Sequence, residues 1–274
     1  MKKFRIKSKS LVLQFFCMFG GIIAIVPILY AAFVSLMSPR DIYTTELILF
    51  PSELYTGSYE KVFQRINILI YIRNSFIVSL VCSVSRVVFG SMAAYAFEFY
   101  EFKGKRIAFG IIISSALIPQ EIVFTQNYTT VSSLGLVNSY AGICTVYLIN
   151  AMSILMIYQA FSSWSKSIRD AALLDGCGSV QFFLRILIPT NLTTLIAVLF
   201  TSFVSLWNVY LWPLVITNSN EMRTMQVAIT MLKGRDSPDF GPVMAASTIS
   251  LLPAISLFII ARGISKKRYL DYDE

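Results

Sequence analysis

Residues 165–189 read SKSIRDAALLDGCGSVQFFLRILIP, and this polar interruption decides how the chain is organised. It is the longest stretch expected inside the cell, in a sequence that otherwise reads as apolar spans. Ser167 followed three residues later by Asp170 resembles a capping box, and Ala171, Ala172, Leu173 and Leu174 are strong helix formers. Gly176 and Gly178 break that helix, and Ser179 stands where it can cap a second one. In the second helix Val180, Phe183, Leu184 and Leu187 fall at i, i+3, i+4 and i+7, which predicts one apolar face. Pro189 closes it before the next hydrophobic run. The expectation is two short helices joined by a glycine turn at a membrane surface. On periodicity alone the hairpin reads as an amphipathic pair resting on lipid headgroups.

Of the 274 residues, 56% are hydrophobic and only 14% charged, which excludes a soluble globular domain. A bilayer span needs about 20 apolar residues. Six spans are expected, at residues 11–37, 71–97, 107–124, 139–161, 192–216 and 242–262. Pro27 is a tolerated kink in the first, and that run is too long for a cleaved signal peptide. The net charge of +8 does not point to nucleic acid, because most basic residues flank spans. They gather in the N-terminal tail (Lys2, Lys3, Arg5, Lys7, Lys9), the 98–106 turn, the hairpin and the tail Lys266-Lys267-Arg268. The loop at 126–138 has none. Basic residues favour the cytoplasmic side, so both termini and the hairpin are expected there.

Enzyme chemistry finds no foothold. Histidine is absent, which removes the commonest general base and metal ligand. No GxxxxGK[ST] phosphate loop occurs, and Gly104-Lys105-Arg106 reads as a topology anchor. Cys17, Cys82, Cys144 and Cys177 form no CxxC pair and read as small buried hydrophobes. Polar groups inside spans point instead to a pathway. Glu121, about 14 residues and roughly 21 Å into the third span, is a candidate. So are Asn150 in the fourth span and Trp207, Asn208 and Trp212 in the fifth. Together they would line a cavity where aromatic faces and amides meet a hydroxyl-rich solute. Each has a plainer reading: tryptophans as interfacial anchors, amides as interhelical bonds, Glu121 as a headgroup or partner contact. Arg86 is expected to snorkel or to pair across the bundle.

Asp170-Ala171-Ala172, three residues, Gly176, nine residues, Ile186, one residue and Ile188-Pro189 resembles the EAA loop of binding-protein-dependent ABC importer permeases. Asp for Glu and Ile for Leu are the two departures. Leu49-Phe50-Pro51, Asn74-Ser75, Ala94-Tyr95-Ala96-Phe97, Phe102-Lys103-Gly104-Lys105, Ile118-Pro119 and Trp207-Asn208-Val209-Tyr210-Leu211-Trp212-Pro213 resemble segments of the maltose-type sugar permeases. Val209 stands where members often carry an acid, and the tail 268–274 lacks their glycine-rich ending, which puts a tail contact with the ATPase in doubt.

The resemblance implies an all-α membrane protein of the type I importer permease fold. Residues 1–70 would lead into a core permease domain, 71–274, with the coupling loop at 162–190. In that loop Asp170, Ala171, Ala172, Asp175, Gly176, Arg185, Ile186 and Pro189 would meet an ATPase. The implied partners are a second homologous permease, two ATPase subunits carrying ATP and Mg, an extracellular solute-binding protein and membrane lipid, with no nucleic acid. This chain itself would bind no cofactor. Residues 225–232 are expected to form a short helix toward the binding protein, or an ordinary connection. Two rivals remain: an ion-coupled carrier, for which Glu121 and Arg86 are thin support, and a non-transporting membrane assembly factor.

Overall fold

The computed structural model describes residues 2–164, 166–233 and 239–270, with side chains for 13–164, 167–233 and 239–263. Ser165, residues 234–238 and 271–274, and the basic side chains at 2–9 and 266–268 lie outside the described part. Among the described residues every regular element is a helix. The chain forms two compact units, one of Met1–Ile68 with Ala228–Leu252, the other of Leu69–Val227 with Pro253–Glu274.

In the first unit, α1 (Lys2–Ser35) carries the apolar stretch Leu13–Ser35, and none of that stretch's best window is buried. Pro27 sits inside it without ending the helix. Cys17 is exposed, against the expectation of burial, as are its neighbours along α1 from residue 13 to residue 30. At its end the Ser35 and Tyr59 hydroxyls share a hydrogen bond of 2.8 Å, tying α1 to α2 (Gly57–Arg65). Lys61 and Arg65 of α2 both reach Asp239 Oδ2 at 3.3 Å, which ties α2 to the residue ahead of the last helix.

The second unit begins its bundle with α3 (Ile68–Phe99), 32 residues without a break. It covers the predicted span 71–97. The third predicted span does not continue to residue 124. Its helix, α4 (Lys105–Ser115), is 11 residues and rises only about 16 Å, roughly half of a ~30 Å hydrocarbon core. Pro119 has no amide hydrogen and disfavours helix at Ile118, so the chain turns through 116–123. Residues 126–138, expected as loop, mostly belong to α5 (Phe124–Ser133).

The fourth predicted span is broken. α6 (Tyr140–Cys144) runs into a 3₁₀ turn at Thr145–Tyr147, and α7 (Ala151–Ser162) restarts bent by 52°. Asn150 causes the restart. Its backbone is extended, and its side-chain oxygen accepts the Ser153 amide at 3.1 Å, capping α7. The break frees carbonyls in the bundle, and α3 supplies their donors. Arg86 Nε donates to the Tyr147 carbonyl and Ser85 Oγ to the Leu148 carbonyl, both at 2.9 Å. Arg86 therefore pairs across the bundle, one of the two fates expected for it.

The hairpin follows as α8 (Lys166–Leu174) and α9 (Ser179–Phe182), described below. α10 (Leu192–Trp207) then ends at Asn208, whose side chain donates to the Val204 carbonyl at 2.8 Å. The predicted fifth span is thus split from α11 (Leu211–Ile216). α12 (Met225–Met231) and α13 (Phe240–Leu270) complete the chain, the latter with apolar residues from Phe240 to Gly263. Among the described residues three helices are long and apolar enough to cross a membrane, and up to five when each bent pair counts as one span. Among the described residues the expected all-helical membrane architecture holds, with the third expected span shortened and the fourth and fifth interrupted.

Candidate coupling hairpin and membrane cavity

Helix α8 begins at Lys166, one residue before the expected Ser167 cap. It stops as predicted, at glycine. Gly176 has φ +82°, a conformation a Cβ disfavours. The Gly176 amide donates to the Leu173 carbonyl at 3.0 Å and the Cys177 amide to the Ala172 carbonyl at 2.9 Å. That pair of bonds is a Schellman ending, and it satisfies two carbonyls the helix would otherwise leave bare.

The second arm departs from its predicted face. Ser179 is the first helical residue after Gly178 rather than the cap. Phe182 and Leu187 are buried, while Val180 and Leu184 are 71% and 57% exposed. The reason is a widened π-helical turn from Phe183 to Leu187, which advances fewer degrees per residue than an α-helix. A face counted on 3.6 residues per turn therefore slips, and Phe182, Phe183, Ile186 and Leu187 turn inward. The wide turn also accommodates Pro189, which lacks an amide to donate.

Phe182 and Leu187 pack with Ala94, Tyr95 and Phe99 of α3, Ile157 and Phe161 of α7, and Leu195 and Val198 of α10. Tyr95 is the hub. Its hydroxyl donates to the Ser179 carbonyl at 2.9 Å, and its ring lies 4.9 Å from that of Phe183 and 5.3 Å from that of Phe99. The sequence flagged Ala94-Tyr95-Ala96-Phe97 only as a resemblance; its work is to bolt α3 to the second arm.

Of the expected coupling residues, Ala172 and Ile186 pack against this cluster and Pro189 is half-buried. Asp170, Ala171, Asp175 and Arg185 are exposed. So is Leu174, at 89%, beside the Gly176 turn. A shallow hollow of about 530 Å³ lies along Gly178, Val180, Gln181, Leu184 and Arg185. The hairpin thus offers solvent a mixed apolar and charged face on a rigidly held second arm.

The pathway candidates separate. Glu121 and Trp212 share a cavity of about 310 Å³ with Gln120, Asn127, Tyr147 and Tyr210. Glu121 sits in the turn after α4, so a count of helical rise from the start of a third span does not locate it. Trp212 is buried, donates from Nε1 to the Gly142 carbonyl at 3.1 Å, and meets the Phe124 ring edge-on at 5.6 Å. Asn150, Trp207 and Asn208 do not line this cavity. Asn150 is the α7 cap, Trp207 stacks on Phe203 at 5.7 Å, and Asn208 accepts from Gln226 Nε2 at 3.2 Å. Sequence reasoning missed Gln120, Asn127, Tyr147 and Tyr210, although Gln120 and Tyr210 neighbour residues it had singled out. Among the described residues no group of three His, Cys, Asp or Glu is placed to hold a metal ion.

A membrane helix bundle with interrupted spans and a glycine-turned hairpin is the architecture of an importer permease. Residues 9–269 match the family described as binding-protein-dependent transport system inner membrane component, and the chain belongs to it. It is a membrane-embedded permease subunit of an ABC importer, not an enzyme. It is 28% identical to the arabinooligosaccharides transport system permease protein AraQ of Halalkalibacterium halodurans, over 88% of each chain. It is 27% identical to the sn-glycerol-3-phosphate transport system permease protein UgpE of Rhizobium meliloti, over 88% of this chain and 89% of that one. In fold it resembles a chain from the crystal structure of a bacterial ABC transporter involved in the import of the acidic polysaccharide alginate. That match has a TM-score of 0.78 at 20% identity and covers 94% of this chain and 96% of the other.

Proposed function

We propose that this chain forms half of a translocation path for a sugar or sugar-like solute, moved inward by ATP-driven ABC subunits. A second homologous permease supplies the other half. Two ATPase subunits hold ATP and Mg, and an extracellular solute-binding protein delivers the cargo. Both termini and the hairpin face the cytoplasm, in keeping with the basic residues that flank them. The relatives' names, one an oligosaccharide system and one a glycerol-phosphate system, support the cargo class.

The observation that carries this reading is the hairpin itself. A loop that merely joined two spans would not need a Schellman turn, a buried second arm and a bare apolar tip. Here α8 presents Asp170 and Leu174 outward, with Asp175 in the turn after it, while α9 and the π turn lock into α3, α7 and α10. ATPase closure pushes the tip, and the second arm passes the movement to the helices it is packed against. The Glu121–Trp212 cavity, with amides, phenols and an indole on its wall, suits a hydroxyl-rich solute.

Gly176→Val tests the coupling step. A Cβ at Gly176 meets nothing within 4 Å, so the substitution costs backbone strain, about 1–2 kcal/mol, without a clash. The variant is expected to insert at normal abundance and to lose ATP-driven uptake. The assay uses proteoliposomes holding the whole transporter, with labelled arabinooligosaccharides and sn-glycerol-3-phosphate as probes. Uptake at the unmutated rate would contradict the coupling role.

A further inference from the structure

The two arms of the hairpin are held very differently. The second arm is anchored by Phe182 and Leu187, both buried, and by the Tyr95–Ser179 bond. The first arm, α8, has no buried residue among its described side chains; only Arg169 and Ala172 are partly covered. Ala172 contributes a methyl group to the cluster below. Arg169 does more. Its Nη1 donates to the carbonyl of Phe99, the last residue of α3, a helix-end carbonyl with no helical partner of its own. Its guanidinium lies 5.7 Å from the centre of the Phe99 ring and 5.5 Å from that of Tyr100. A cation at a helix C-terminus between two aromatic rings is favoured by both the helix dipole and the ring quadrupoles.

One feature of this contact works against it. Arg169 Nε is buried without a hydrogen-bond partner. An unmet buried donor offsets part of what the other contacts contribute.

We infer that Arg169 is a positioning residue, a releasable clasp through which movement of the first arm enters the end of α3. The inference rests on the coupling reading proposed above and adds to it a specific load path. Force on α8 reaches α3 through Arg169, at Phe99 and Tyr100, rather than only through the second arm and α10. Without the clasp, α8 pivots about the Gly176–Gly178 turn, and the push at its tip is spent on the hairpin alone. Lysine cannot replace it fully, since a point charge lacks the planar fork that donates and stacks at once.

The test needs no knowledge of the cargo. In the assembled transporter, with Cys17 and Cys177 replaced by serine, spin labels are placed at Leu174→Cys and Lys103→Cys, both on exposed positions. Distances are measured without nucleotide and with ATP and vanadate. With Arg169 present, the two labels keep their separation, because α8 and the end of α3 move together. In Arg169→Ala the ATPase subunits stay bound and hydrolyse ATP, but the separation changes with nucleotide by about 2 Å or more, the scale of helix shifts at moving interfaces. Arg169→Lys, which keeps the charge and is the milder change for folding, gives a smaller shift of the same sign. A separation that ignores nucleotide in both variants overturns the clasp, as does one altered equally with and without nucleotide, the mark of a merely structural role. Cross-linking from Leu174→Cys to the ATPase separates the two readings. No cross-link with Arg169 intact overturns the coupling reading and the clasp with it; a cross-link with unchanged distances overturns the clasp alone.

Discussion

Helices α1 and α3 are both long enough and apolar enough to cross a bilayer, yet one is bare and the other is a core element. None of the best apolar window of α1 is buried, against 39% of that of α3. The difference lies in their polar residues. From residue 13 onward α1 carries almost none before its end, and its exposed Phe, Ile and Leu side chains suit lipid tails. Along α3, Asn74, Ser75, Ser79, Ser83, Arg86 and Ser91 are all buried. In a bilayer a polar side chain is costly unless it faces protein, so such a stripe marks the helix that others pack on. Here the stripe has work to do. Asn74 donates to the carbonyls of Glu221 and Arg223, Ser75 accepts the Met225 amide, and Ser85 and Arg86 close the break in the fourth span. An unbroken helix holds the broken ones.

The largest expected effect comes from removing that support. Arg86→Leu leaves the Tyr147 carbonyl without its donor in a buried site. It should lower stability by about 1–3 kcal/mol, read as a fall in melting temperature in mild detergent. The matching change on the other helix, Ile23→Ala on exposed α1, should shift stability by no more than about 0.5 kcal/mol. Equal effects from the two would erase the distinction between lipid-facing and core helix.

Gly142→Ala sharpens the comparison at the helix that α3 supports. A Cβ there runs into the Leu136 carbonyl, which is backbone and yields little. The same glycine's carbonyl receives the Trp212 indole. The expected cost is about 1–3 kcal/mol of overpacking, accompanied by a change in tryptophan fluorescence as the cavity wall moves. Fluorescence and melting both unchanged would show that α6 shifts freely.

The smallest effect belongs to the loop after α1. Burial pushes the Asp41 carboxyl up, but the Ser52 hydroxyl and amide, with help from Ser38, outweigh it and hold it below its ordinary value of 3.8. Ser52 Oγ donates to Oδ1 at 2.9 Å and the Ser52 amide to Oδ2 at 3.3 Å. A depressed carboxyl stabilises the fold fully above its ordinary pKa and ceases to as pH falls through the lowered one. Proteolytic nicking between residues 43 and 52 should therefore rise when pH drops below that range. Asp41→Asn should lack the pH step.

The hairpin was the most legible part of the chain because its controls are local. A glycine that must adopt positive φ, a run of helix formers before it and a proline after it act within a few residues of themselves. Even there one local device was hidden, since nothing in FLRIL announces a π turn, and the packed face slipped accordingly. The pathway residues were less legible. Asn150 carried a readable signal, an amide three residues ahead of Ser153, but a hydropathy run masked it as a span interior. Glu121 was placed by counting helical rise through Pro119, where the helix had already ended.

From sequence alone came the membrane class, the apolar runs, the glycine stop at Gly176 and the resemblance that named the loop, each set by side chains acting on their near neighbours or on solvent. Tertiary structure alone decided which apolar helix is bare, where spans four and five break, and which side of the second arm is buried. Those outcomes depend on donors and carbonyls far apart in sequence, such as Arg86 and Tyr147, and a broken helix persists only where a distant partner completes its hydrogen bonds.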